Sequence, residues 1–287
     1  MIILILVLVI LVLVFIAIDI HDITHFVKRE YIIDTDKVDV RTRIVLLSDM
    51  HNKQFGKNNE RLISAIKEID PDFICCAGDM LTARPGVSYD PAVALFKELT
   101  EYTVYYGIGN HEYRMKRYPE TYGDSYERFT GELKDLGVIV LENEHVRIAD
   151  SNIRIQGLMI DRAFYKRFKH NVMTPEYIYE VAGRKSSDEY EIMLAHNPEY
   201  FDGYAASGAD LVFSGHVHGG IMRLPLLGGV ISPRLTLFPK YDGGIFKKGD
   251  STMILSRGLG CHTLPLRIFN PGELICVTLS PCKKEAD

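Results

Sequence analysis

Residues 44–52 read Ile-Val-Leu-Leu-Ser-Asp-Met-His-Asn, and residues 211–219 read Leu-Val-Phe-Ser-Gly-His-Val-His-Gly. Each is a short apolar run that stops in a polar turn, the pattern of a buried strand and the loop that leaves it. Residues i and i+2 of an extended segment share a face, so Asp49 and His51 can reach one ion, and so can His216 and His218. Three more apolar runs end the same way. Phe73–Ala77 leads into Gly78-Asp79, Thr103–Ile108 into Gly109-Asn110-His111-Glu112, and Glu191–Ala195 into His196-Asn197-Pro198. Taken singly, a Gly-Asp pair is usually a turn and a buried histidine usually a satisfied core residue. Five loops of metal-ligand residue types, each at the carboxyl end of a strand, form the arrangement in which open α/β sheets build their sites.

Val138–Leu141 and Ile153–Leu158 are further apolar runs. Residues 58–69 place Leu62, Ile63, Ile66 and Ile69 at helical spacing, and 91–99 form a second amphipathic segment. Strand–helix alternation predicts one α/β domain spanning residues 43–282. After Gly219 the chain turns Gly- and Pro-rich and hairpin-like, with late strands at Thr252–Leu255 and Glu273–Leu279, and 283–287 form a polar tail. The chain has 287 residues, 47% of them hydrophobic, enough to fill a core of this size. Its net charge of −5 gives no general attraction to nucleic acid, so phosphate binding must be local. The cysteines (Cys75, Cys76, Cys261, Cys276 and Cys282) are odd in number and match no zinc or disulfide spacing; they read as small hydrophobes in a reduced protein.

Residues 1–18 are unbroken apolar sequence ended by Asp19. As a helix they would extend about 27 Å, enough to cross a hydrocarbon core. No Lys or Arg precedes the run and no small-residue cleavage signal follows it, so it reads as an uncleaved transmembrane anchor, single-pass, rather than a signal peptide. Residues 19–42 read as a juxtamembrane connector. Lys28, Arg29, Lys37, Arg41 and Arg43 follow the helix, which by the positive-inside rule favours a cytoplasmic domain, with an extracytoplasmic one as the alternative.

Asp49-x-His51, Gly78-Asp79, Gly109-Asn110-His111-Glu112, His196 and Gly215-His216-x-His218 together resemble the signature of the calcineurin-like metallophosphoesterases. Leu224-Pro225, Leu237-Phe238-Pro239-Lys240-Tyr241, Ser256-Arg257-Gly258-Leu259-Gly260 and Arg267-x-Phe269-Asn270-Pro271 are similar to the bacterial YkuE/YaeI-type branch. The resemblance implies a four-layer α/β/β/α sandwich behind the N-terminal transmembrane helix. It implies one divalent ion held by Asp49, His51, Asp79 and His218, and a second held by Asp79, Asn110, His196 and His216. Asp79 would bridge them, and His111 would be the catalytic acid. The mixed donor set suits Mn²⁺ first, with Fe or Zn²⁺ as alternatives.

Two divalent ions and two aspartates leave the site at about +2, which attracts phosphate even on an acidic protein. Ions roughly 3.5–4 Å apart would activate a shared water and stabilise in-line displacement at phosphorus. Glu112 is a candidate to orient the His111 ring. Arg114 and Arg223 are candidates to hold substrate phosphate, and Arg234 and Lys240 pose the same question. The expected function is a dinuclear-metal hydrolase of a phosphoester or pyrophosphate. Its partner would be a phosphate-containing small molecule or lipid headgroup, and the branch includes enzymes that cleave a UDP-linked acylated sugar. The alternatives are a nucleotide or nucleic-acid phosphodiesterase, disfavoured by the missing basic stripe, and a non-catalytic binding protein, which would be expected to have lost a ligand.

Overall fold

The computed structural model describes residues 1–166, 171–224, 227–231, 236–261 and 265–282. The first sheet holds β1 (Phe26–Thr35), β2 (Thr42–Leu47), β3 (Phe73–Cys76), β4 (Val104–Gly107), β5 (Ile139–Leu141) and β14 (Gly272–Pro281). Its spatial order is β1-β14-β2-β3-β4-β5, with β2 to β5 parallel. The second holds β6 (His145–Arg147), β7 (Ile153–Leu158), β8 (Tyr190–Ala195), β9 (Leu211–Ser214), β12 (Gly244–Lys248) and β13 (Ser251–Leu255), in the order β12-β13-β9-β8-β7-β6. A two-stranded ribbon, β10 (Arg223–Leu224) and β11 (Gly228–Gly229), stands apart.

The central strands read as continuous apolar runs because they are covered on both faces. Ile44, Leu46, Ile192, Leu194, Phe213, Ile254 and Ile275 pack between the sheets, and each such side chain contributes about 1.5–3 kcal/mol on burial. The outer face of the first sheet is covered by α2 (Glu60–Ile69), α3 (Asp90–Lys97), α4 (Asn110–Arg117), α5 (Pro119–Tyr122) and α6 (Ser125–Asp135), through residues such as Leu62, Phe96 and Phe129. Helices α7 (Pro175–Ala182) and α8 (Phe201–Ala206) cover the second, through Ile178, Phe201 and Tyr204. The result is the α/β/β/α sandwich.

Two boundaries differ from the sequence reading. The N-terminal helix α1 runs Ile2–Thr24, past the apolar residues 1–18, and is long and apolar enough to cross a membrane. Residues 19–42 are not a connector: Phe26–Thr35 form an edge strand paired in parallel with β14 from Phe26↔Gly272 to Thr35↔Pro281. The reason is physical. An edge strand keeps one side in water, so Lys28, Arg29 and Glu30 are tolerated and mask the pattern. The expected tail 283–287, with Pro225 and Arg234, lies outside the described residues.

Candidate metal centre

All five ligand loops leave the carboxyl ends of parallel strands of the two sheets, β2, β3 and β4 in one and β8 and β9 in the other. Backbone pairing carries on beyond the strands: Asp49 N–H donates to Gly78 O (3.0 Å), His51 N–H to Asp79 O (3.1 Å) and Gly215 N–H to His196 O (3.0 Å). The loops are strained where they hold ligands. Asp49, His51, Asp79, His216 and His218 all adopt positive φ, between 48° and 75°. Non-glycine residues seldom do so, and at roughly 1–3 kcal/mol each the strain persists only where the surroundings over-determine it. Two glycines make the close approach possible. A Cβ on Gly109 would lie 2.3 Å from Asp79 Oδ1, and one on Gly215 would lie 2.0 Å from Asp49 Oδ2.

The structure brings together Asp49, His51 and His218 as one cluster of ligand atoms, and Asp79, His196 and His216 as a second. His51 Nε2 lies 3.2 Å from His218 Nε2, and His218 Nε2 lies 3.3 Å from Asp49 Oδ1. Facing ring nitrogens repel through their lone pairs unless a proton or cation sits among them, and two nitrogens bound to one ion at ~2.0–2.1 Å stand roughly 3 Å apart. His196 Nε2 lies 3.1 Å from Asp79 Oδ2 and 3.8 Å from Asp49 Oδ1, linking the two groups. Asn110 Oδ1 is buried with no hydrogen-bond donor among the described residues. An amide oxygen left so costs about 1–3 kcal/mol, a cost that a cation would offset. On these observations the residues fit a pair of divalent cations.

The backbone assigns the ring protons. His196 Nδ1 is 2.7 Å from Ala77 O and His218 Nδ1 is 3.3 Å from Gly260 O. Carbonyls accept only, so both rings carry hydrogen on Nδ1 and turn the Nε2 lone pair inward, the orientation of a ligand. His111 is reversed. Its Nδ1 accepts Ala83 N–H at 2.8 Å, so the neutral ring carries its hydrogen on Nε2, 4.0 Å from Asp79 Oδ2. His111 clusters with His51 and Asp79 by distance, yet this tautomer makes it a donor rather than a ligand.

The electrostatics describe a site built for positive charge. Burial lowers the pKa of the His196 imidazolium, but Asp79 and Asp49 outweigh it and push it up to about 10. Burial likewise works to raise the Asp79 carboxyl, and the surrounding histidines, His196 first, hold it well below the usual carboxylate range. A proton on His196 therefore stands in for a cation in the metal-free protein. Below a pKa near 10 that proton must leave before the nitrogen can bind metal, so affinity rises with pH through neutrality. Loading the stripped protein with Mn²⁺ at pH 7.5 is expected to release about one proton per chain. Calorimetric titration in two buffers of different ionisation enthalpy measures it. Heats independent of the buffer contradict the assignment.

Glu112 does not orient the His111 ring. Fully buried, its Oε2 accepts the N–H groups of Asp79 (3.0 Å) and Gly109 (3.1 Å), and its Oε1 accepts Met80 N–H (3.0 Å) and the Tyr106 hydroxyl (2.7 Å). It clamps the Asp79 loop to the start of α4, a carboxylate at a helix N-terminus. Arg223 is committed elsewhere, to Asp242 Oδ2 (3.1 Å) and Gly219 O (3.0 Å), and braces the loop after His218. Arg114 is exposed one turn beyond Asn110 on α4. Lys240 lies over the Tyr241 ring.

Two supports were missed. The buried Arg267 guanidinium binds the carbonyls of Arg257, Gly258, Gly260 and Asn270. Asn270 Nδ2 donates to His218 O (2.8 Å) and Gly220 O (2.6 Å). Their sequence signal is the Arg-x-Phe-Asn-Pro string, which carries resemblance but no visible chemistry.

Fold and site together define a metal-dependent phosphoesterase. Residues 42–220 match the calcineurin-like phosphoesterase family, and the chain belongs to it. It is 26% identical to an "uncharacterized metallophosphoesterase YkoQ" of Bacillus subtilis, over 82% of each chain. It is 28% identical to an "uncharacterized metallophosphoesterase" of Aquifex aeolicus, over 89% of this chain and 93% of that one. It is 25% identical to a "transmembrane protein with metallophosphoesterase domain" of Danio rerio, over 83% of this chain and 53% of that one.

Proposed function

We propose that this chain is a membrane-anchored hydrolase that cleaves a phosphoester or pyrophosphate bond of a lipid-linked substrate, such as a UDP-linked acylated sugar. In this reading its domain lies on the cytoplasmic side. The observation that carries the hydrolase reading is the pair of three-residue clusters, Asp49-His51-His218 and Asp79-His196-His216, joined through His196. Sidedness is supported by Lys28, Arg29, Lys37, Arg41 and Arg43 after the helix, and by cysteines that are free among the described residues.

Held by these residues, two divalent cations, Mn²⁺ by the donor set, would supply Lewis acidity toward phosphoryl oxygen and water. Asp79 belongs to the second cluster and its Oδ2 faces His51 of the first at 3.9 Å, and Asn110 would add a neutral oxygen. In this reading His111 Nε2–H protonates the departing oxygen, a role supported by the Ala83 N–H that fixes its ring. The lipid part rests on α1, because a site tethered at the bilayer meets headgroups at high effective concentration.

The test is a substrate panel on the detergent-solubilised, Mn²⁺-loaded full chain: a lipid-linked nucleoside pyrophosphate, a free nucleotide and an aryl phosphodiester. The lipid-linked pyrophosphate is expected to exceed the nucleotide in kcat/KM by about tenfold or more, the equivalent of ~1.4 kcal/mol of added transition-state binding. Preference for the nucleotide would replace this reading with a nucleotide phosphodiesterase.

A further inference from the structure

The N-terminal helix does not simply tether the domain, because its root is built into the loops beside the metal centre. Asp19 Oδ1 accepts Arg267 N–H at 2.7 Å, and the buried Asp22 Oδ2 accepts Asn270 N–H at 2.8 Å. Arg61 Nη1 donates to Thr24 O at 3.2 Å. Asn270 in turn holds His218 O. The last turn of α1 is therefore two hydrogen bonds from a ligand loop.

From that root, short segments lie side by side. Ile268 bridges Met222, and Arg223 N–H donates to Ile268 O (3.0 Å). Ile221 N–H donates to Ile231 O (2.8 Å), and Phe238 N–H to Val230 O (2.9 Å). At about 4.8 Å per step, this ribbon spreads roughly 15 Å from the helix root.

Several large apolar side chains on or beside it are in water. Leu227, Leu237, Phe238, Leu266 and Phe269 are all exposed, Phe238 to 58% and Phe269 to 46%. Both phenylalanines also hold positive φ, 46° and 53°, a conformation that bulky side chains avoid. Among the described residues, the other exposed large apolar side chains outside the helix, Ile32, Val40, Val87, Val172 and Ile245, are scattered along the chain. A contiguous exposed apolar patch marks an interaction surface. Leu266 and Phe269 each adjoin a residue bonded to Asp19 or Asp22, at the root of a helix whose apolar residues are themselves uncovered.

We propose that Leu266 and Phe269, with Leu227, Leu237 and Phe238, form a second membrane contact, a collar that seats in the bilayer interface around the root of α1. Its occupant is lipid, because the apolar helix α1 leads onto it through the Asp19–Arg267 and Asp22–Asn270 hydrogen bonds. Aromatic and aliphatic side chains at headgroup depth hold a protein's tilt as well as its attachment. The collar thus fixes the His218 side of the metal centre against the membrane surface. The inference rests on the membrane-anchored reading above.

The chain contains no tryptophan, so one introduced tryptophan is the sole emitter of its kind. Full-length Phe269→Trp, Phe238→Trp, Phe15→Trp and Ile32→Trp are reconstituted into phosphatidylcholine/phosphatidylglycerol vesicles containing acyl-brominated lipid. Folding is checked by aryl phosphodiester hydrolysis. Phe15→Trp reports the helix. Ile32→Trp, roughly 20 Å along β1 from the root, reports water. Phe269→Trp and Phe238→Trp are expected to lose most of their emission, as Phe15→Trp does, while Ile32→Trp keeps its own. If both collar variants behave like Ile32→Trp while Phe15→Trp is quenched, the collar is wrong and the anchor stands. An unquenched Phe15→Trp overturns the anchored reading and the collar with it.

Discussion

Asp79→Asn is expected to lower kcat/KM for an aryl phosphodiester by about 10³-fold at saturating Mn²⁺. Its Oδ2 lies 3.1 Å from His196 Nε2 and 3.9 Å from His51 Nε2, so one carboxylate faces both ligand clusters. Its Oδ1 accepts His111 N–H at 2.7 Å, which also sets the start of α4. Asparagine keeps the volume and can keep that acceptor oxygen, so the loss reports the charge. Bound cations contribute several kcal/mol of transition-state stabilisation, and each ~1.4 kcal/mol is tenfold in rate. The check is steady-state kinetics beside metal analysis of the same samples. Activity within about tenfold of the unaltered chain, less than ~1.4 kcal/mol, would show that Asp79 does not join two ions.

The second large effect is at His111. His111→Ala is expected to retain its metals and to lose about 10²–10⁴ in rate, the range for a positioned general acid. The loss grows as the leaving group becomes poorer, because a good leaving group departs without a proton. A series of aryl and alkyl diesters, plotted against leaving-group pKa, gives a steeper slope for the variant. The structural basis is the tautomer: with Nδ1 accepting Ala83 N–H, the neutral ring offers hydrogen from Nε2. Loss of one metal equivalent in His111→Ala would make the ring a ligand, as its closeness to His51 and Asp79 permits.

The sequence showed the buried strands and their terminal loops because parallel strands covered on both faces leave uninterrupted apolar runs. Strand β7 (Ile153–Leu158) and strand β9 (Leu211–Ser214) coincide with the runs read from sequence. Edge strand β1 was hidden by Lys28, Arg29 and Glu30, and helix α4 by a sequence, Asn-His-Glu-Tyr-Arg-Met-Lys-Arg, with little apolar periodicity. The ligand residue types were legible because i, i+2 spacing and strand-end position are local. The supports were not, since they act at long range. Glu112 reaches backbone some thirty residues away, and Asp22 meets Asn270 across 248 positions. Arg223, a candidate for substrate phosphate by sequence, pairs with Asp242, nineteen residues away.

The same contacts limit how the N-terminal helix can be removed. A cut after residue 25 also deletes Asp19 and Asp22, the acceptors for Arg267 and Asn270. A cut after residue 18 leaves both in place.

The hydrolase mechanism requires two ions within reach of Asp79. The most direct measurement is metal content by elemental analysis of the purified active chain, followed through stepwise chelation with activity recorded at each step. Two divalent ions per chain, with activity lost as they are withdrawn and restored by Mn²⁺, is the predicted result. Full activity in protein that retains no metal would contradict it.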